Sequence, residues 1–194
     1  MEKSIYQIQI ALKNFKPKIW RRILVNSNML LSDFHKVIQT TMGWDNSHLH
    51  QFIKDRTYYS KKIKGDDFWD MSGDNVDYKK MKISDLLVVE KDKMVYEYDF
   101  GDGWEHSIIL EKILPFEKGF KHPVCLAGKM SCPHEDVGGV WGYAEMLEIL
   151  KDPKHEEYEN YMEWLGGGFD PEEFDIEMVN EMLQDEDYGC LCFF

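Results

Sequence analysis

The chain lacks the sequence signatures of the common catalytic folds. It has no nucleophile elbow, no P-loop, no dinucleotide fingerprint and no His-Glu-x-x-His pair, so enzyme classes that depend on those elements are disfavoured. No apolar run approaches a membrane span, and no membrane partner is expected. No signal peptide is read at the start, where Met1-Glu2-Lys3-Ser4-Ile5 leads straight into a strand pattern, so the expected location is cytoplasmic. Cysteine is sparse. Cys125, Cys132, Cys190 and Cys192 are the whole set, and in a reducing compartment they are thiols. Positive charge almost vanishes from the last third: residues 135–194 hold 2 Lys+Arg against 18 Asp+Glu.

The remaining composition is that of a globular protein. Of 194 residues, 43% are hydrophobic and 14% aromatic, enough for a sizeable core without disulfide or metal staples. The reading is one domain over 1–194, with a sheet-rich core in 1–114 and a loop and helical part in 115–194. The net charge of −13 hides an asymmetry. Residues 1–64 hold 12 Lys+Arg against 4 Asp+Glu, a surplus of +8. That basic front, with Trp20 and Trp44 as possible stacking platforms, permits phosphate contacts. The acidic balance of the whole chain favours a solvated face instead, so a nucleic-acid partner is not favoured. The acidic tail is expected to lie against the basic hairpin and shield it.

Periodicity supplies the elements. Tyr6, Ile8, Ile10 and Leu12 alternate with Gln7, Gln9 and Ala11, and Lys18 to Val25 is a second strand, giving an opening hairpin. Ser32 is placed as an N-cap, Phe34, Val37, Ile38 and Met42 share one helical face, and Gly43 ends the helix. His48 to Tyr59 reads as one strand, Ser60 to Lys80 as a long loop with room for a short irregular strand, and Ile83 to Val89 as a short helix. Pro115 to Ser131 reads as loop. Helices are expected over Trp141 to Leu150, around Tyr158 to Leu165, and after Asp170-Pro171, with Asp170 as N-cap. The order predicts an α+β fold: a β-grasp-like mixed sheet with one helix packed across it and a helical C-terminal third docked on the sheet.

The chemistry concentrates between Tyr96 and His106. There Gly101-Asp102-Gly103 is read as the positive-φ part of a hairpin turn, so Gly101→Val is expected to destabilise. Asp99, Asp102, Trp104 and His106 lie in this hairpin. Asp45, His48 and His50 open another strand, and His48 and His50, two apart, share a face. If the two ends adjoin, they form a pocket able to do acid–base work or to hold a divalent metal, with His48, His50, Asp102 and His106 as ligands. The competing reading makes the aspartates turn acceptors and the histidines sheet residues. Glu135 and Asp136 precede Gly138-Gly139, where the backbone can approach closely. They either bind a cation or cap the following helix.

Four ordered motifs resemble the plasmid pRiA4b ORF-3-like family. They are Ile19-Trp20-Arg21-Arg22-Ile23; Gly43-Trp44-Asp45 leading to His48-Leu49-His50-Gln51-Phe52; Tyr98-Asp99-Phe100-Gly101-Asp102-Gly103-Trp104-Glu105-His106; and Cys132-Pro133-His134-Glu135-Asp136-Val137-Gly138-Gly139. The resemblance implies architecture more than activity. Some members are linked to mobile elements and carry a resolvase-like label, but no resolvase serine motif occurs here. Many relatives carry cysteine at the position of Val137, which weakens a shared thiolate site. The function expected is a binding or adaptor module with an Asp/His/Trp-lined surface for a small ligand or protein partner. The alternatives are a metal-dependent hydrolase or nuclease and a nucleic-acid-associated protein.

Overall fold

The computed structural model describes residues 3–62 and 75–191. In chain order the elements are β1 (Ser4–Leu12), β2 (Trp20–Asn26), α1 (Leu31–Met42), β3 (His50–Lys54), β4 (Thr57–Ser60), β5 (Asn75–Asp77), α2 (Ile83–Leu86), β6 (Lys93–Tyr98), β7 (Trp104–Pro115), β8 (Val124–Lys129), α3 (Gly139–Ile149), α4 (Tyr158–Trp164) and α5 (Ile176–Met182), then a 3-10 turn over Glu186–Gly189. The strands form one sheet in the order β5-β4-β3-β6-β7-β1-β2-β8. All neighbours are antiparallel except β4 and β5. The fold is therefore α+β with a mixed sheet.

The period-two pattern makes the sheet apolar on one face. Ile8, Ile10, Ile23, Val25, Tyr96, Ile108 and Leu110 are fully buried, and α1 sets Phe34, Val37, Ile38 and Met42 in the same core. The other face is polar, as one-sided antiparallel sheets permit. There Arg22 grips Glu111 through two bonds of 2.6 and 2.8 Å, and Gln7 donates to the same carboxylate. The C-terminal helices complete the core with Tyr143, Met146, Val179 and Leu183. On edge strand β8, the Asn180 side chain accepts from Cys125 N–H and donates to its carbonyl, at 2.7 and 2.9 Å. Those backbone groups are thus closed to pairing with another chain.

Several local expectations are corrected. The run His48 to Tyr59 is a hairpin, because Asp55 and Arg56 turn the chain at φ 50° and 68°. The stretch read as loop contains β8, which pairs with β2. Ser32 lies inside α1, whose N-cap position is Leu30 with no side-chain cap. Asp170-Pro171 forms a turn, and Asp175 caps α5 by accepting from Met178 N–H at 2.9 Å. Lys13 and Arg22 of the basic hairpin find their partners, Glu105 and Glu111, on β7 rather than in the acidic tail. From the tail, Asp187 reaches Lys36 of α1 at 2.5 Å. Most of the stretch read as a long loop, and Cys192, lie outside the described residues. Cys125 and Cys132 are free thiols.

Two of the expected metal ligands belong to the core. His106 is fully buried, with Nδ1 3.1 Å from Trp104 O and the Trp44 ring edge-on at 5.1 Å. Burial pushes its pKa down to about 3. His50 stacks on His35 of α1 at 3.4 Å and contacts Tyr78 Oη through Nε2 at 2.6 Å. His35 in turn contacts Tyr96 Oη and Asn46 Oδ1. Burial lowers the pKa of both stacked rings; the Lys36 charge adds to the effect for His35, and at His50 the repulsion that a proton on His35 would exert and the Lys61 charge do the same. Neutral rings joined through hydroxyl and amide groups satisfy one another inside apolar surroundings.

Two predictions follow from this core. The three histidines stay neutral in the folded state below their ordinary value of about 6.5, while the unfolded chain takes up protons there. Stability is then full above about pH 6.5 and falls as pH drops toward the depressed folded values. Denaturant unfolding between pH 6.5 and 5, above the carboxylate range, should show a loss; a flat profile would contradict it. The second concerns the β6–β7 turn, where the left-handed residues are Asp99 (φ 53°) and Gly103 (φ 67°), not Gly101. Gly103→Ala should cost about 1–2 kcal/mol, and Gly101→Ala less, in the same unfolding measurement.

Candidate functional site

Trp44 anchors the site. Following the left-handed Gly43 that ends α1, it enters the core, stacks on Tyr98 at 4.9 Å and donates its indole N–H to Pro133 O at 2.9 Å. This pins the α1–β3 loop against the segment that precedes α3. The Tyr98 hydroxyl, at the end of β6, donates to Glu135 Oε1 at 2.8 Å and accepts from Ser47 N–H at 2.9 Å. Burial, followed by the Glu135 carboxylate, pushes its pKa well up, so it remains a donor. Glu135 also accepts from Asp45 N–H at 2.8 Å and from the Ser47 hydroxyl.

His48 stands over this joint. Its Nε2 lies 3.2 Å from Asp136 Oδ1, 3.8 Å from Asp99 Oδ2 and 3.8 Å from Glu135 Oε2. That nitrogen is buried and has no hydrogen-bond partner. Asp99 keeps 10% of its side chain exposed and Asp136 keeps 73%. Asp99 Oδ1 accepts from Gly101 N–H at 2.9 Å, which leaves Oδ2 facing the histidine. Asp99 and Asp136 both have positive φ, 53° and 61°, a conformation that aspartate tolerates better than most residues.

Asp102 is beside this group rather than in it. Its Oδ2 accepts from Gly138 N–H at 3.2 Å and so meets the start of α3. The helix has Gly138 at its N-cap and no side-chain cap, so neither Glu135 nor Asp136 has the capping role. The close approach expected at the diglycine is real. A Cβ on Gly139 would fall 2.5 Å from Asp102 O.

The structure therefore separates the residues singled out in the sequence. His48, Asp99, Glu135 and Asp136 come together; Asp45 and Asp102 flank them. Trp104 and His106 are fully buried behind them, and His50 belongs to the stacked pair on α1. Trp44 is buried too, so it is no base-stacking platform, and Trp20 lies under the Arg22 guanidinium. Alternation explains why the sequence could not make this division. Tyr96, Tyr98, Trp104 and His106 pair across β6 and β7 and share one face, but only the depth of cover tells site from core.

A groove of about 800 Å³ opens beside the cluster. Asp45, Ser47, Glu135 and Asp136 line its acidic end, and Trp164, Phe169, Phe174 and Met178 line its apolar side. His134 sits between the Trp164 and Phe169 rings, 5.5 Å from each. Arg21 lies in the floor, buried, donating to Thr41, Trp20 and Lys129 carbonyls and stacked on Phe174 at 3.8 Å. Cys132, also on the lining, has its thiol pushed up to about 12 by burial, so it is inert rather than nucleophilic. Sequence reasoning missed Ser47, Tyr98 and the C-terminal aromatics. Trp164 and Met178 lie on two separate short helices, and nothing in the sequence marks that they face one groove.

The comparisons with known proteins agree with this architecture. The protein is 35% identical over 188 residues to the uncharacterized protein y4hQ of Sinorhizobium fredii, an alignment covering 95% of this chain and 93% of that one. Its structure matches the crystal structure of MM3350, a protein of unknown function from Methanosarcina mazei Go1, with a TM-score of 0.79 and 41% identity over 92% of this chain and 98% of the other. No described helix is long and apolar enough to cross a membrane. The model of the plasmid pRiA4b ORF-3-like protein family matches residues 4–178, and with nearly the whole length so covered the chain belongs to that family.

Proposed function

We propose that the protein is a binding module whose ligand seats in the groove beside His48, with a positively charged group at the acidic end and an apolar body along Trp164, Phe169 and Phe174. The observation that carries this reading is the His48 nitrogen, buried without a hydrogen-bond partner and facing three carboxylates. Three negative charges around one imidazole attract positive charge, and low-dielectric walls strengthen that attraction. The apolar wall supplies area for the rest of the ligand, the usual composition of a binding pocket. Hydrolysis has less to stand on, because His106 is fully buried and the half-buried His50 ring is taken up by His35 and Tyr78, which leaves neither placed as a general base.

The test uses alkyl amines and short lysine-containing peptides as probes, read by backbone amide shifts in NMR. Shifts should map to Ser47, Glu135, Trp164 and Phe169. Glu135→Gln should weaken binding about tenfold, as expected for losing one charged contact worth about 1.4 kcal/mol. Shifts confined to the basic face of β1 and β2, or an affinity unchanged in Glu135→Gln, would remove the reading.

A further inference from the structure

We infer that the positive charge at the acidic end is a divalent first-row metal ion, held by His48 Nε2, Asp99 Oδ2 and Asp136 Oδ1, with Glu135 Oε2 as a fourth donor. This rests on the proposed binding role of the same site: the ion supplies the positive charge at the acidic end and leaves the apolar wall for the body of a ligand that meets it. The donor atoms of His48, Asp99 and Asp136 all lie within 4.8 Å of one another. A metal that binds imidazole and carboxylate at about 2.0–2.2 Å places neighbouring donors roughly 3–3.5 Å apart. The His48–Asp136 separation of 3.2 Å already fits, and the two separations of 3.8 Å need to close by only a few tenths of an ångström.

Burial is the second observation. The Asp99 side chain is nine-tenths buried, and among the described residues the partner of its Oδ2 is the His48 nitrogen 3.8 Å away, itself buried and without a hydrogen bond. A buried carboxylate is costly unless hydrogen-bonded, paired or bound to a metal. Among the described residues no lysine or arginine pairs with Asp99, Glu135 or Asp136, and His48 is their only ion-pair partner. A bound ion satisfies the orphaned His48 nitrogen and neutralises the buried Asp99 carboxylate at once.

The surroundings also hold the ligands in place, as outer-shell groups do in metal sites. Gly101 N–H fixes Asp99 through Oδ1. Tyr98 and Asp45 N–H fix Glu135 through Oε1 and leave Oε2 turned toward His48. An imidazole among carboxylates suits zinc, manganese, iron or cobalt better than magnesium or calcium, which take all-oxygen shells. Of the ligands His48, His50, Asp102 and His106 named from the sequence, this geometry keeps only His48, while Glu135 and Asp136, read there as cation binders or helix caps, join it with Asp99.

The test is a titration of the EDTA-treated full chain with Zn²⁺ by calorimetry and with Co²⁺ by visible absorption. One ion per chain is expected, with a cobalt spectrum of nitrogen and oxygen ligation. His48→Ala and Asp136→Asn should each weaken binding at least tenfold, whereas His155→Ala, at an exposed histidine in the acidic segment, should change nothing. Asp136 is largely exposed, so its variant tests the site without endangering the fold. Binding retained in both His48→Ala and Asp136→Asn would overturn the inference. So would the absence of binding at millimolar metal. If amines then still bind with the Glu135 dependence given above, the binding module stands without its metal; if they also fail, both fall.

Discussion

The phenol of Tyr98 is the contact on which the site depends. Its ring belongs to the sheet core, stacked against Trp44, while its hydroxyl joins three segments that are far apart in sequence. It bonds to Ser47 N–H in the α1–β3 loop and to Glu135 before α3, and it does so from the end of β6. A buried hydroxyl left without partners costs about 1–3 kcal/mol, so the loops are held where they satisfy it. The same position explains why the phenol stays protonated: removing its proton would place a second anion beside the Glu135 carboxylate inside the protein.

From that joint the polar architecture divides into two zones with opposite electrostatic character. Inside, His35, His50 and His106 are held neutral by burial and exchange hydrogen bonds with Tyr96, Tyr78, Asn46 and the backbone. At the rim, one histidine meets three carboxylates that have no arginine or lysine partner among the described residues. The separation is a matter of a few ångströms of cover. Trp44 supplies much of it, lying between the rim loop and the Trp104 and His106 rings. A site of this kind needs a rigid floor, and the stacked aromatic layer provides one without adding a charge.

The diglycine of α3 shows a similar economy. Gly139 comes so close to the Asp102 carbonyl that no side chain fits, and Asp102 itself accepts from Gly138 N–H. The β6–β7 hairpin and the start of α3 are thereby locked together, which brings Asp99 of the one and Asp136, just before the other, to the same His48 nitrogen. The acidic C-terminal helices act differently. They close the core and cover the edge of β8 through Asn180, while Lys13 and Arg22 of the basic hairpin are matched within the sheet itself.

Particular residues mark how far the sequence went. Alternation over Tyr6 to Leu12 determined a one-sided strand, because a period of two places every second side chain on one face. The 3.6-residue spacing of Phe34, Val37, Ile38 and Met42, ended by Gly43, determined α1. The run Tyr98 to His106 and the run Cys132 to Gly139 marked the family and the neighbourhood of the site. Tertiary structure alone decided which polar residues meet. His48 and His50 share a strand-like spacing, yet one lies at the rim and the other under α1, since the strand begins only at His50 and the loop before it is turned by Asn46. Asp99, Glu135 and Asp136 carry no mutual spacing signal, because their proximity comes from strand pairing and loop packing across 37 residues of chain or less. Residue type and period are local properties of a chain, whereas the depth of burial and the company of a charge are set by everything packed around it.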